Sequence, residues 1–333
     1  MSERSAKTAE NTPLFVIMSL ISVALCAMSG KVSLAFPLVI CAALCAYLFE
    51  RPGGLPFALG AALLGGAAGY LTGGALFSAE SVAFTVLPGA VILACRRRRA
   101  GLFTTSVAVG GAHLLLTAAF LALSLYLQYG DAAAGARTVF REIYASAGEM
   151  IKNMFREGDT YRISDADVSS LLSTITTMLP GIILAAWQVI GGAVYFIMKL
   201  LCSLAGGKTS AEDEYRIPDS PIIFFAVSLL ISLILMPFEG AQVARIAAID
   251  ICIALSVPSA FCGIASIVRK IKHPQTVTLP DGTVVRRFPF LPIAVMVASA
   301  LINPFMPFGV AAVYGSALTL KNAVKKSINK KDG

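Results

Sequence analysis

Long uninterrupted apolar blocks organise this chain, rather than the alternation of a half-buried strand or the one-sided stripe of a soluble helix. They fall at 13–29, 32–49, 55–75, 81–95, 101–128, 169–202, 220–237 and 240–268, with a last block at 288–320. A hydrocarbon core of about 30 Å takes roughly 20 helical residues, so most blocks have the length of one crossing. The last block holds Asn303-Pro304 and Pro307. It reads either as one broken span or as a tight hairpin of two short helices. A second apolar block follows the first at once, so 13–29 reads as a retained span and not as a cleaved signal peptide.

Two stretches follow other periods. Within the polar segment 130–168, Val139, Phe140, Ile143, Tyr144, Ala147, Met150, Ile151 and Met154 recur at helical spacing. That is the stripe of an amphipathic helix, suited to a membrane surface or to covering a bundle. Ser164 and Asp167 then form a capping-box-like start, with Asp in place of the usual Glu or Gln, for a helix running on through Trp187. Thr276-Val-Thr-Leu-Pro-Asp-Gly-Thr-Val-Val alternates on both sides of Asp281-Gly282, which predicts a β-hairpin.

Composition agrees with the blocks. Of 333 residues, 57% are hydrophobic and 14% charged, against roughly 45–50% and about 25% in soluble domains. This excludes a cytosolic enzyme, a nucleic-acid-binding domain, a disulfide-rich secreted module and a disordered chain. The net charge of +8 therefore reports membrane topology and anionic lipid, not nucleic acid. With the N-terminus inside, Arg4, Lys7, Arg51, Arg96 to Arg99, Lys199, Lys208, Arg216, Arg269, Lys270, Lys272, Arg286 and Arg287 all fall on the inner side. The tail lysines 321, 325, 326, 330 and 331 join them only if 288–320 is a hairpin, which favours ten helical segments over nine. Arg245 alone falls within a span. The seven cysteines, at 26, 41, 45, 95, 202, 252 and 262, make no CxxC and read as small packing residues.

The expected architecture is thus all-α: a polytopic transmembrane bundle of about 8–10 helices, with one outer amphipathic helix and a small cytoplasmic β-hairpin. Its parts are an inner tail at 1–12, a Gly/Ala-rich N-terminal bundle at 13–128, and the outer segment at 129–168. A C-terminal bundle at 169–320 follows, with the hairpin at 274–287, and an inner Lys-rich tail closes the chain at 321–333.

Chemistry is sparse. Gly65, Gly69 and Gly73 repeat every fourth residue and mark a face for close helix packing. In Phe238-Glu-Gly-Ala-Gln-Val-Ala-Arg-Ile-Ala-Ala-Ile-Asp, an uninterrupted helix puts Glu239, Gln242, Ile246 and Asp250 on one face and Arg245 to the side. Charges inside a span cost about 2.5–3.5 kcal/mol at the centre and usually face a bundle interior or a water-filled cavity. The stripe reads as a substrate-binding site reached from the outer face, or as a structural pairing of Asp250 with a neighbouring helix. His113, Trp187 and Gln188 are further buried polar candidates. The sequence holds no nucleophile elbow, P-loop or HExxH, so no catalytic residue, metal or cofactor is expected.

Four landmarks resemble the YybS-like family of bacterial membrane proteins. They are the Gly-rich third span; Leu87-Pro-Gly-Ala-Val-Ile-Leu with Arg96 to Arg99; Met178-Leu-Pro-Gly-Ile-Ile-Leu; and Tyr215-Arg-Ile-Pro-Asp. The resemblance implies a bundle of eight or more helices in the bacterial cytoplasmic membrane, and brings no functional residues with it. The N-terminal half is also similar in style to the substrate-binding components of energy-coupling-factor transporters. The leading expectation is binding or transport of a small solute, powered by an ion gradient or a separate ATPase. The rival is a non-transporting scaffold for an envelope or morphogenesis complex. The lipid bilayer is the one obligatory partner.

Overall fold

A computed structural model describes residues 16–17, 19–21, 23–24, 35–51, 53–157, 160–161, 163–204, 218–272, 275–278, 284–287, 289–302 and 306–329. Most of the span expected at 13–29 lies outside the described residues, as do both tail ends and the Asp281-Gly282 turn.

The described helices are α1 (Ala35–Glu50), α2 (Gly54–Arg97), α3 (Leu102–Tyr129), α4 (Ala132–Met154), α5 (Asp165–Leu204), α6 (Asp219–Ile234), α7 (Gln242–Lys272), α8 (Phe290–Ile302) and α9 (Met306–Asn329). A short antiparallel pair, Arg156–Glu157 with Thr160–Tyr161, joins α4 to α5. A second, Gln275–Thr278 with Val284–Arg287, joins α7 to α8, with Val277 opposite Val285. Four helices, within α2, α3, α5 and α7, are long and apolar enough to cross a membrane; α1, α6 and α8 contribute shorter apolar helices. The chain is a helical membrane protein.

It divides into two compact units. The first holds residues up to 174 together with 187–214, and the second holds 175–186 with 215–333. In the first, α1 is the centre: every residue from Cys41 to Leu48 is buried, so this helix is apolar on all sides for a reason. Ile92, Leu102, Val109, Val194 and Met198 pack with it. At its end Glu50 pairs with Arg96, Oε1 to Nε 2.7 Å, and Arg96 also reaches the Met198 sulfur.

Straight, the 44 residues of α2 would measure roughly 66 Å, about twice a bilayer core. It is folded at Gly74, where φ is 80° and ψ −170°, into arms 54–73 and 75–97. The spans expected at 55–75 and 81–95 are these arms, and the reversal takes one residue where a linker of five was expected. The small face packs along the fold: Gly69 lies against Ser81 and Phe77, Gly73 against Phe77, and Gly66 against Val82. Gly65 is buried too.

The Gly74 backbone lies in a region essentially closed to other residues, yet a Cβ there would meet nothing within 4 Å. Gly74→Ala therefore isolates backbone strain from packing. It is expected to cost about 1–3 kcal/mol, read as a lower melting temperature in detergent. A melting temperature equal to wild type would show that the reversal does not depend on glycine.

The amphipathic helix is α4. Asp131 caps it by accepting from the Ala133 N–H at 2.9 Å. Phe140, Ile143, Met150 and Met154 are exposed, while Gly148 faces Leu172 and Val168 of α5. Ser164 and Asp167 form the capping box reciprocally: Asp167 N–H donates to Ser164 Oγ at 3.2 Å, and Ser164 N–H to Asp167 Oδ2 at 3.3 Å. The shorter Asp does here what Glu does elsewhere, and α5 runs from it without a break past Trp187.

Lys152 ties the end of α4 to this start, its Nζ 2.7 Å from Asp165 Oδ1 and 3.5 Å from Glu149 Oε1. The hydrogen bond to Asp165 holds the ammonium above the ordinary lysine range. The tether is therefore at full strength below about pH 10.4, the unperturbed lysine value, and is lost as pH rises through the raised one. Lys152→Ala is expected to speed proteolytic cleavage within 155–164 at neutral pH. An unchanged cleavage rate would place the anchor of α4 elsewhere.

In the second unit Phe225, Ala260, Ala311 and Ala312 form the core, with Leu229, Leu255, Met296 and Phe308 around them. The block 288–320 is two helices, α8 and α9, with 303–305 between them. The α7–α9 crossing is a backbone contact. A Cβ on Gly263 would collide with the Ala311 carbonyl, and one on Gly315 with the Ser259 carbonyl. The first unit repeats the device where α3 crosses α5: a Cβ on Gly110 would strike the Trp187 carbonyl, and one on Gly191 the Ser106 carbonyl. Small residues four apart let backbones meet, which matters in lipid, where apolar burial between helices supplies little drive.

Candidate functional site

Pro180 lies inside α5. Proline lacks an N–H and its ring presses on the carbonyl one turn back, so the helix loosens there and nearby backbone groups turn to other partners. Gly181 N–H donates to Asp250 Oδ1 at 3.3 Å. The two backbones nearly touch: a Cβ on Gly181 would lie 2.7 Å from the Asp250 carbonyl oxygen and 2.8 Å from its Cα. Asp250 is half-buried. The Gly181 N–H is its one hydrogen-bond partner among the described residues.

The polar stripe expected on one face is shorter than the sequence suggested. Glu239–Ala241 is a 3-10 turn, and the α-helix begins only at Gln242. The α-helical row therefore starts at Gln242 and holds Gln242, Ile246 and Asp250. The cause is the chain reversal at Leu235–Pro237 after α6, which leaves the following residues to tighten before α7 can start. From Gln242 to Asp250 is eight residues, roughly 12 Å of rise. Gln242 is exposed and Ile246 half-buried.

Arg245 lies in the same stretch, Gln242–Val268, that is long and apolar enough to cross a membrane. It lies in the first turn of α7, and its Nη1 donates to the Met236 carbonyl at 3.3 Å. The guanidinium satisfies a turn carbonyl just past the C-terminal end of α6, where a positive charge also suits the negative end of the helix dipole. Arg245 thus ties down the turn between α6 and α7, and forms no ion pair with Asp250.

The remaining candidates gather in the first unit. His113 is 2% exposed. Its Nδ1 lies 3.0 Å from the Val109 carbonyl; a carbonyl only accepts, so Nδ1 carries the hydrogen. The neutral ring then leaves Nε2 as a bare lone pair, buried and without a partner among the described residues. Phe84 lies 5.7 Å from the ring, and Trp187 stacks on it at 6.2 Å. Gly110, three residues before His113, admits the Trp187 backbone. Gln188 is half-buried. The structure therefore joins His113 with Trp187, and Asp250 with Gly181, each pair within its own unit.

Two features escaped the sequence reading. Gly181 was visible in Pro180-Gly181, a breaker pair inside a span, but its partner 69 residues away was not. Lys270 looked like one more basic residue at a helix end, yet its Nζ donates to Tyr314 Oη at 2.8 Å. Among the described residues no cluster of three or more His, Cys, Asp or Glu side chains could hold a metal. The chain matches no family model, no curated protein and no solved structure.

Proposed function

We propose that this protein is a YybS-like, multi-pass protein of the bacterial cytoplasmic membrane that binds a small polar or cationic solute and carries it across the bilayer. The observation that carries the reading is Asp250. This carboxylate lies within a helix long and apolar enough to span the membrane, and its partner is a neutral N–H. A charge so placed costs free energy unless a cation or a proton meets it. A proline-loosened helix beside it supplies backbone groups of the kind that bind substrates at helix breaks in transporters. In this reading Asp250 is the counter-charge, Gln242 stands at the outer mouth, and Glu239 and Arg245 shape the rim. His113, with Trp187 and Gln188, forms a separate titratable element. No metal or cofactor takes part, and energy comes from an ion gradient or a separate ATPase. Both termini and the Gln275–Arg287 ladder lie on the cytoplasmic side, by the distribution of lysine and arginine.

A second reading, a non-transporting scaffold for an envelope or morphogenesis complex, is favoured by the exposed Phe140, Ile143, Met150 and Met154 on α4, which offer an apolar face outside the spans.

Thermal-shift screening of the purified protein against small cations and polar metabolites separates the two. Solute binding predicts a hit that stabilises wild type and fails to stabilise Asp250→Asn. A hit that stabilises both equally removes Asp250 from the site, and the absence of any hit favours the scaffold.

A further inference from the structure

We propose that the groove between α8 and α9 holds one acyl chain of an anionic phospholipid, with Lys270 receiving its phosphate. The groove has a volume of about 680 Å³ and walls that are almost wholly hydrocarbon: Leu291 and Val295 from α8, with Met306, Val310 and Val313 from α9. From Met306 to Ala317, which also lines it, the rise is roughly 16 Å. That is about half of a 30 Å hydrocarbon core, the depth of one leaflet.

The groove is apolar along its length and cationic at one end. Tyr314 forms part of its wall. The Lys270 ammonium donates to the Tyr314 hydroxyl and lies 5.4 Å from the ring centroid. An ammonium has three hydrogens to give, and the tyrosine takes one. Lys321 stands one turn beyond Ala317 on α9 and is exposed. Arg269 and Lys272 flank Lys270 in sequence. A long apolar slot ending in cations fits an amphiphile with a hydrocarbon chain and a negative head. A free phosphate would leave the slot unfilled, and a purely apolar helix would leave the ammonium unmatched. The proposal rests on the chain residing in a bilayer, and is independent of whether Asp250 binds a solute.

Gly309 provides the test. It lines the groove, and a Cβ built on it meets nothing within 4 Å, so a larger side chain there fills the slot without pressing on the protein. Full-length protein is purified in detergent, exchanged with phosphatidylglycerol or phosphatidylcholine of identical chains, and weighed with its retained lipid by native mass spectrometry. Wild type is expected to retain phosphatidylglycerol about fivefold over phosphatidylcholine, the weight of one lysine at an anionic surface. Lys270→Gln leaves the slot open and is expected to abolish the preference while keeping retention. Gly309→Leu is expected to lose both lipids, and Gly309→Ala neither. Equal retention of the two lipids by wild type, or retention by Gly309→Leu equal to wild type, overturns the proposal. Carbonate extraction of wild-type membranes reads the underlying premise separately. Release of the chain would refute membrane residence itself, whereas a chain that stays in the membrane without lipid preference refutes only the groove.

Discussion

Gly263→Val is expected to lower the melting temperature of the purified protein sharply, at a cost of about 3 kcal/mol, the upper end of what overpacking brings. At this point α7 and α9 touch backbone to backbone. The first carbon of any side chain would overlap the Ala311 carbonyl and come within 3.2 Å of the Gly315 nitrogen. Valine adds two methyl groups beyond that and cannot bend them away, because its χ1 is stiff in a helix. The obstacle is a main-chain carbonyl, so no neighbouring rotamer can give way and the helices must separate. Separation forfeits dispersion contacts along the whole crossing, including those of Ala311 and Ala312, which are fully buried. Gly111→Ala serves as the control, since a Cβ there meets nothing within 4 Å. It is expected to hold the melting temperature or raise it slightly, as Gly to Ala in an open helix position gives up to about 1 kcal/mol. If Gly263→Val melts with the Gly111→Ala protein, the crossing is not built as described.

The second large effect is a separation of two properties at Asp250. Asparagine keeps an oxygen where Oδ1 accepts from Gly181 N–H, and gives up only the charge. Asp250→Asn is therefore expected to melt within about 1 kcal/mol of wild type. Asp250→Ala removes the acceptor and leaves the Gly181 N–H unpaired beside a loosened helix. Hydrogen bonds between membrane helices average about 0.6 kcal/mol and reach about 1.7, and a charged acceptor belongs at the high end. A loss of about 1–2 kcal/mol follows for Asp250→Ala. That is less than the clash at Gly263, so the fold is expected to survive both variants. Binding of a cationic or polar solute should instead fall by about tenfold or more, ~1.4 kcal/mol or more, in both.

Much of this architecture was legible from the residues. Length and apolarity marked the helices, because a chain in lipid must satisfy its backbone within each helix. Ser164 with Asp167 marked a helix start, and Asn303 to Pro307 marked the break between α8 and α9. The amphipathic period of α4 was plain for the same reason that its apolar face is now exposed.

What stayed hidden depends on partners distant in the chain. The four-residue rows Ser259–Gly263, Ala311–Gly315 and Ser106–Gly110 are no more conspicuous than Gly65–Gly69–Gly73. A small residue announces that something can approach, and not what does. Glu50 and Arg96 close a pair across 46 residues, each looking like an ordinary helix-end charge. The late start of α7 has a local cause, a turn that takes up the residues expected to begin it. That Arg245 reaches back across this turn to the Met236 carbonyl depends on the shape of the turn, which residue spacing alone does not give.

The most direct test of a charge held for a solute, and not only for a helix contact, is isothermal titration of the screened solute into wild type, Asp250→Asn and Asp250→Ala, with melting temperatures taken on the same preparations. Asp250→Asn is expected to melt like wild type and to bind about tenfold more weakly or not at all. An Asp250→Asn protein that binds with wild-type affinity would contradict this, and would leave Asp250 with the Gly181 hydrogen bond as its only work.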